Sequence, residues 1–238
     1  MTDNPYRRLA ARLDALPDGF PATESGAELR LLAKLFTPEE AALAAQLRLT
    51  LETPRQIAAR LDRDPRAVRT RLKAMAKGGL IEAGRVERGL GYGLMPFVVG
   101  IYEMQVARID EELARLFEAY YLEAFGRVLP VQPQFHRVIP VGESVRSDME
   151  VRPYESAAAL VNGAQAWAVT DCICRKQQAL IGEPCEHPLD VCMILSEHPG
   201  AFDRAPNLRV LTREGALATL ARAADAGLVH SVSNNQQG

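Results

Sequence analysis

The sequence predicts an α+β protein, built from a mostly helical first half and a smaller second half that mixes strands with helices. Three observations lead to this prediction. The first half is a series of amphipathic helix patterns ending in a hairpin pattern, the second half alternates short strand and helix patterns, and all four cysteines of the 238 residues fall in the second half. We therefore expect three segments: a winged-helix-like domain over residues 1–95, a long connecting helix over 96–129, and a small α+β domain over 130–238 that carries the cysteines.

The first domain contains clear signals for the start and end of its helices. Thr37 and Thr53 each precede a proline and are followed three positions later by Glu or Gln, which predicts a capping box. Pro65 opens a further helix that runs to Lys77, where two glycines end it. The segment 80–95 then predicts two short strands around a glycine-containing turn. Helices, a short helix–turn–helix and a hairpin follow each other in this order in winged-helix domains.

The helix predicted over residues 65–77 separates apolar from basic side chains, with Val68, Leu72 and Met75 on one face. Residues 54–88 contain ten Lys or Arg and four Asp or Glu, a local excess of +6, so the rest of the chain carries −8 within the formal net charge of −2. The basic face would suit a DNA major groove, although a solvated helix or a protein-interaction module shows the same pattern. The candidate DNA-binding residues are Arg66, Arg69, Lys73 and Lys77.

Residues 96–129 carry apolar and aromatic side chains at three- and four-residue spacing, which predicts one long or kinked helix. Such a helix could join the two domains or pair with its copy in a homodimer. We prefer the interpretation that its aromatic side chains pack in a core. These side chains are Phe97, Tyr102, Phe117, Tyr120 and Tyr121.

The second half predicts a small domain arranged around the cysteines. The patterns indicate strands over residues 137–141, 166–172, 208–211 and 228–232, and helices over 154–164 and 212–226.

The N-terminus lacks the apolar core of a secretory signal, and the longest apolar stretch, residues 94–102, is too short to cross a membrane. We therefore expect a cytoplasmic protein with no membrane partner. Thiols stay reduced in that compartment, so clustered cysteines indicate metal ligands or redox groups rather than disulfides.

The four cysteines follow the pattern C-x-C-x10-C-x6-C within residues 172–192. Four thiolates supply a full ligand set for a tetrahedral zinc ion or an iron–sulfur cluster. Structural zinc sites usually use pairs with two to four intervening residues, and a C-x-C pair in extended backbone aims its side chains apart unless a turn intervenes. The spacing therefore favours a cluster and leaves zinc open. The candidate ligands are Cys172, Cys174, Cys185 and Cys192.

The residues around the cysteines suit an anionic group. Arg175 and Lys176 place positive charge beside the first pair, which would lower the pKa of the thiols and stabilise an anionic cluster. His187 is either a ligand, a neighbour of the ligands, or a residue that initiates the turn before Pro188. The sequence contains no Gly-rich nucleotide loop, nucleophile elbow or HExxH motif, so we expect a carrier or regulator more than an enzyme.

The segments TPEEAALAAQL, LMPFVVGIYEMQ and TDCICRKQQALIGEPCEHPLDVC together resemble a family of bacterial and archaeal 4Fe-4S ferredoxin, iron–sulfur binding proteins. The resemblance covers nearly the whole chain from about residue 25, and the cysteine segment is its most specific part. It implies a winged-helix-like region followed by four cysteines that hold a cluster. Members of the family continue past a segment like SVSNNQQG into a cysteine-rich ferredoxin module, which residues 1–238 do not include.

Three functions stay open at this point. The first, which the resemblance favours, is a 4Fe-4S or 2Fe-2S protein that exchanges electrons with a redox protein partner. The second is a winged-helix transcription regulator in which loss or oxidation of the cluster changes DNA binding. The third is a zinc-stabilised interaction module without redox activity.

Overall fold

The computed structural model describes residues 4–127, 136–138, 156–203, 205 and 207–233. The chain divides into two compact units, which we call the N-terminal unit, Met1–Gln132, and the C-terminal unit, Pro133–Gly238. Helices and small antiparallel sheets occur together, and the predicted α+β class is confirmed. No helix in the described ranges combines the length and the apolar character that crossing a membrane requires.

Helices dominate the N-terminal unit, and those that follow Asn4, Thr37 and Thr53 begin at predicted capping residues, whereas α2 follows Gly26, so a capping box from Ser25 to Glu28 is not formed. Asn4, Thr37, Thr53 and also Asp64 each accept a hydrogen bond from the first turn of the helix that follows. The elements are α1 Pro5–Asp14, α2 Ala27–Leu35, α3 Pro38–Ala44, α4 Pro54–Leu61, α5 Pro65–Lys77, β1 Glu82–Val86, β2 Gly89–Gly93 and α6 Glu111–Glu123.

α4 and α5 pack against each other and are followed by the hairpin of β1 and β2. The strands are antiparallel, with Glu82 opposite Gly93 and Val86 opposite Gly89. Tyr92 also exchanges two backbone hydrogen bonds with Glu52, and these tie β2 to the segment before α4. The helix–turn–helix and the hairpin are therefore present in the predicted order, while the winged-helix assignment stays a prediction.

The helix predicted over residues 96–129 is not continuous. Helical turns cover Phe97–Ile101 and Glu103–Gln105, Val98 and Gly100 have non-helical backbone angles, and regular helix is confined to α6. Apolar spacing alone did not reveal this break, because the side chains on both sides of it face the same core. α6 packs against α2, and Glu123 accepts a hydrogen bond from the backbone N–H of Ser25 at 3.0 Å, so this segment belongs to the N-terminal unit.

The predicted aromatic core is confirmed for Phe97, Tyr102, Phe117 and Tyr120, which are all buried, whereas Tyr121 is half-buried. Tyr102 stacks on Phe117 with ring centroids 3.7 Å apart. Phe20, from the loop after α1, lies 4.6 Å from the ring of Phe97 and 4.8 Å from that of Tyr120. These rings hold α6 to the loop segments around it.

Asp110 is expected to stabilise the start of α6. Its carboxylate accepts a hydrogen bond from the Leu113 N–H at 2.8 Å and pairs with Lys34 at 2.9 Å, and in that order these contacts hold the pKa of Asp110 below its ordinary value. Replacing Asp110 by alanine should lower the free energy of unfolding by about 1 kcal/mol at neutral pH, while asparagine, an equally good cap, should cost less.

The pH dependence of this effect checks its origin. Because the folded-state pKa of Asp110 is lowered, its stabilisation is present above the ordinary carboxyl pKa of about 4 and is lost as the pH falls through the lowered value. Urea unfolding of the wild type and Asp110→Ala between neutral and strongly acidic pH should therefore give curves that converge in acid. A difference independent of pH would contradict a role for the charge.

The C-terminal unit contains a three-stranded antiparallel sheet in the order β5-β4-β6 and a second pairing of β3 with β7. A small apolar core of Ala157, Val161, Ala216 and Leu220 joins α7 and α9, and Trp167 of β4 packs against it. Residues 139–141 of the predicted strand 137–141 lie outside the described residues. The elements are β3 His136–Val138, α7 Ala157–Gly163, β4 Ala166–Thr170, α8 Ile173–Leu180, β5 Cys192–Ser196, β6 Arg209–Leu211, α9 Arg213–Asp225 and β7 Ser231–Ser233.

Candidate metal centre

The first cysteine pair lies where β4 gives way to α8. Cys172 is the N-cap residue of α8, and Cys174 belongs to the first helical turn. The backbone turns between the two residues, so the pair escapes the opposed side-chain directions of extended backbone. Cys192 is the first residue of β5 and lies opposite Thr170, two residues before Cys172 on the neighbouring strand. The sheet and the helix start therefore bring three of the four cysteines together.

Hydrogen bonds join these three thiols. The pKa of Cys172 is strongly lowered, first because it accepts a hydrogen bond from Cys174 and second because it accepts one from Cys192, with the N–H and the charge of Arg175 acting in the same direction. The pKa of Cys192 is raised, chiefly by its hydrogen bond to Cys172. The hydrogen bonds of the group therefore favour ionisation of Cys172 over that of Cys192. We call Cys172, Cys174 and Cys192 the three-thiol group.

Cys185 is not part of that group. It lies in the loop 181–191 between α8 and β5, within the exposed run of residues 182–187. Gly182, with a φ of 95°, turns the chain out of α8 into this loop. Across the described residues, no group of three or more His, Cys, Asp or Glu side chains is placed so that it could hold a metal ion. The structure thus unites three candidate ligands and leaves the fourth on a neighbouring loop.

The last part of the loop is fastened beside the three-thiol group. The backbone N–H of Cys172 donates to the carbonyl of Leu189 at 2.8 Å. The guanidinium of Arg175 donates to the carbonyl of Pro188 at 2.6 Å. Both bonds hold residues 188 and 189 against the N-terminal end of α8, and so fix the path of the chain into Cys192.

Asp190 fastens the loop from the other side. Its carboxylate accepts hydrogen bonds from Arg222 of α9 at 2.6 Å and from Arg209 of β6 at 2.9 Å, and Arg222 also donates to its carbonyl at 3.0 Å. The guanidinium of Arg222, followed by that of Arg209, holds the pKa of Asp190 far below its ordinary value. Asp190 therefore links the segment before Cys192 to two elements of the small domain.

The other predicted neighbours of the cysteines take different positions. Arg175 is half-buried, and its charge acts on Cys172. Lys176 pairs with Asp171 at 3.1 Å, on the same helix start. His187 is exposed in the loop that also carries Cys185. The electropositive side of the three-thiol group is thus formed by Arg175, together with the positive end of the α8 dipole, whereas Lys176 is engaged by Asp171.

The structure adds three features that the sequence reasoning missed: helix α8, strand β5 and the anchor at Asp190. A signal for α8 existed, since residues 172–181 contain neither glycine nor proline, and Ile173 and Gln177 occupy one buried face. The ion pairs of Asp190 join residues 19 and 32 positions apart, which no local pattern reveals.

The candidate DNA-binding residues all lie on α5, in the N-terminal unit. Arg66, Arg69, Lys73 and Lys77 are exposed, and Val68, Leu72 and Met75 on the opposite side are buried.

Comparisons of the chain with protein-family models, with curated proteins and with solved structures give no match.

Proposed function

We propose that the C-terminal unit binds an iron–sulfur cluster through Cys172, Cys174, Cys185 and Cys192, and that the chain exchanges electrons with a protein partner. The observation that carries the proposal is the three-thiol group, which brings cysteines from a helix start and a separate strand into hydrogen-bonding contact. Isolated structural cysteines have no reason to gather in this way, because a free thiol packs as a small apolar side chain.

The chemistry of the donor set fits a cluster. Iron–sulfur clusters are held by thiolates, and the group already favours the thiolate form of Cys172. Arg175 supplies positive charge beside ligands that would each be negative, and the anchored segment before Cys192 holds that thiol in place. Cys185 lies on an exposed loop, between Cys174 and Cys192 in the sequence, and would complete the set of four ligands. When bound, the cluster would supply a one-electron couple.

The exposure of the site supports electron transfer rather than a buried structural role. Cys174, Cys185 and Cys192 are exposed and Cys172 is half-buried, so a group held there would reach the surface of the C-terminal unit. A redox partner could then approach it closely. The resemblance of the cysteine segment to 4Fe-4S ferredoxin, iron–sulfur binding proteins points in the same direction.

Metal analysis of protein purified without oxygen tests the proposal. About four iron and four sulfide per chain, with a broad absorption near 400 nm that bleaches on reduction, would support a 4Fe-4S cluster, and about two of each a 2Fe-2S cluster. About one zinc per chain and no visible colour would overturn the redox proposal and favour a zinc-stabilised module. A protein that binds neither metal after reconstitution with iron and sulfide would overturn the metal site altogether.

A further inference from the structure

We propose that the N-terminal unit binds duplex DNA, with α5 in the major groove and the β1–β2 hairpin against the neighbouring backbone. The contact surface is the basic face of α5, by which we mean Arg66, Arg69, Lys73 and Lys77. This inference concerns only the N-terminal unit, and it holds whether the cysteines bind iron, zinc or nothing.

The fold directs the basic face outward. Val68, Leu72 and Met75 are between 0% and 4% exposed, so burial of these three side chains determines the rotation of α5 about its axis. The four basic residues on the other side are exposed, and none of them pairs with a carboxylate in the part of the chain that the structure describes. Their charge is therefore left for a partner.

Two of the acidic residues near this face already have partners. Asp64 accepts a hydrogen bond from the Ala67 N–H at 2.7 Å and serves as the N-cap of α5. Glu52, the nearest acid before α4, is held by Arg60 at 2.5 Å. Asp62 is exposed at the turn before α5, at the opposite end of that helix from Lys73 and Lys77.

The hairpin adds two cations and also two acids, Glu82 and Glu87, so it carries no net charge of its own. Arg85 on β1 and Arg88 at the turn are both exposed. Burial raises the pKa of Tyr92 on β2, and the positive charge of Arg69 opposes that shift, which agrees with β2 running beside the basic face. A helix and a hairpin that both carry cations can hold a duplex by its phosphates on two sides, and phosphate contacts of this kind set the register of the protein on DNA.

The chemistry favours duplex DNA over other polyanions. The basic face runs from Arg66 to Lys77, a length of about 16 Å on a helix, and a single helix fits the major groove of B-DNA. Residues 54–88 contain no aromatic side chain, whereas proteins that bind single strands stack bases on aromatic rings. The deep, narrow major groove of duplex RNA does not admit a helix.

Fluorescence anisotropy with the full chain and a labelled random duplex of about 25 base pairs tests the proposal. Because phosphate contacts release counterions, affinity should fall steeply with salt, and the slope of log K against log salt should drop by about 2 in Arg69→Ala/Lys73→Ala. The double variant should bind at least tenfold more weakly, a loss of about 1.4 kcal/mol. Arg69→Lys/Lys73→Arg keeps both charges and should retain the salt slope.

Arg115→Ala provides the matched control, since Arg115 is exposed on α6 of the same unit and pairs with Glu111 at 2.8 Å. It should change the affinity less than twofold. The proposal is overturned if the wild type does not bind the duplex, if Arg115→Ala weakens binding as much as the double variant does, or if a single strand or a duplex RNA of equal length binds as tightly. Circular dichroism shows that each variant is folded.

Discussion

Replacing Cys172 by serine is expected to reduce the iron content of anaerobically purified protein from about four to below one per chain. Cys172 is hydrogen-bonded to both other thiols in the group, so its loss removes the centre of the proposed site. Serine keeps the size of the side chain but is a poor ligand for iron. Iron and sulfide analysis with the visible spectrum measures the result.

Two other Cys→Ser variants should differ in how much iron they retain. Cys192→Ser should come close to Cys172→Ser, because Cys192 is held within the sheet beside the same thiol. Cys185→Ser should leave the larger share of bound iron, since Cys185 lies outside the three-thiol group. Thermal unfolding of each metal-free variant shows that the fold persists. Wild-type iron content in Cys172→Ser would place any metal site elsewhere in the chain.

Replacing Phe97 by alanine is expected to lower the free energy of unfolding by about 3–5 kcal/mol. Phe97 is 1% exposed, and its ring lies 4.6 Å from Phe20 and 6.2 Å from Tyr102. The substitution leaves a cavity where α6 and two loop segments meet. Urea unfolding followed by far-ultraviolet circular dichroism measures the loss.

Leu122→Ala is the control for Phe97. Leu122 is a large apolar side chain on α6, but it is 67% exposed, so its removal should change the free energy of unfolding by less than about 0.5 kcal/mol. Equal losses for the two variants would contradict the packing described for the aromatic core.

The sequence predicts those parts of the fold that depend on neighbouring residues. Thr37 with Glu40 and Thr53 with Gln56 form the predicted capping boxes, because a cap and its partner lie three residues apart and need no tertiary information. The buried stripe of α5 likewise follows from helical spacing alone. The same spacing failed over residues 96–129, where it cannot distinguish one helix from several short turns packed on one core.

In the candidate site, too, local features could be predicted from the sequence and tertiary ones could not. The identity of the four cysteines is a property of the sequence, and their spacing already suggested that one metal group could hold them. Their grouping depends on the pairing of Thr170 with Cys192 and on the start of α8 at Ile173. The strand register and the helix start, which a loop of 11 residues joins, both depend on tertiary structure. Sequence reasoning therefore could not separate Cys185 from the three other cysteines.

The loop 181–191 is held at both ends, and this affects the entropic cost of bringing Cys185 to the three-thiol group. α8 holds one end of the exposed run 182–187, and the bonds to Pro188, Leu189 and Asp190 hold the other. Closing a loop costs conformational entropy that grows with the logarithm of its length, and here both ends are already in place. A movement of Cys185 toward the three-thiol group would therefore involve only about six residues. The pairs of Asp190 with Arg209 and Arg222 thus shorten the segment that would have to move.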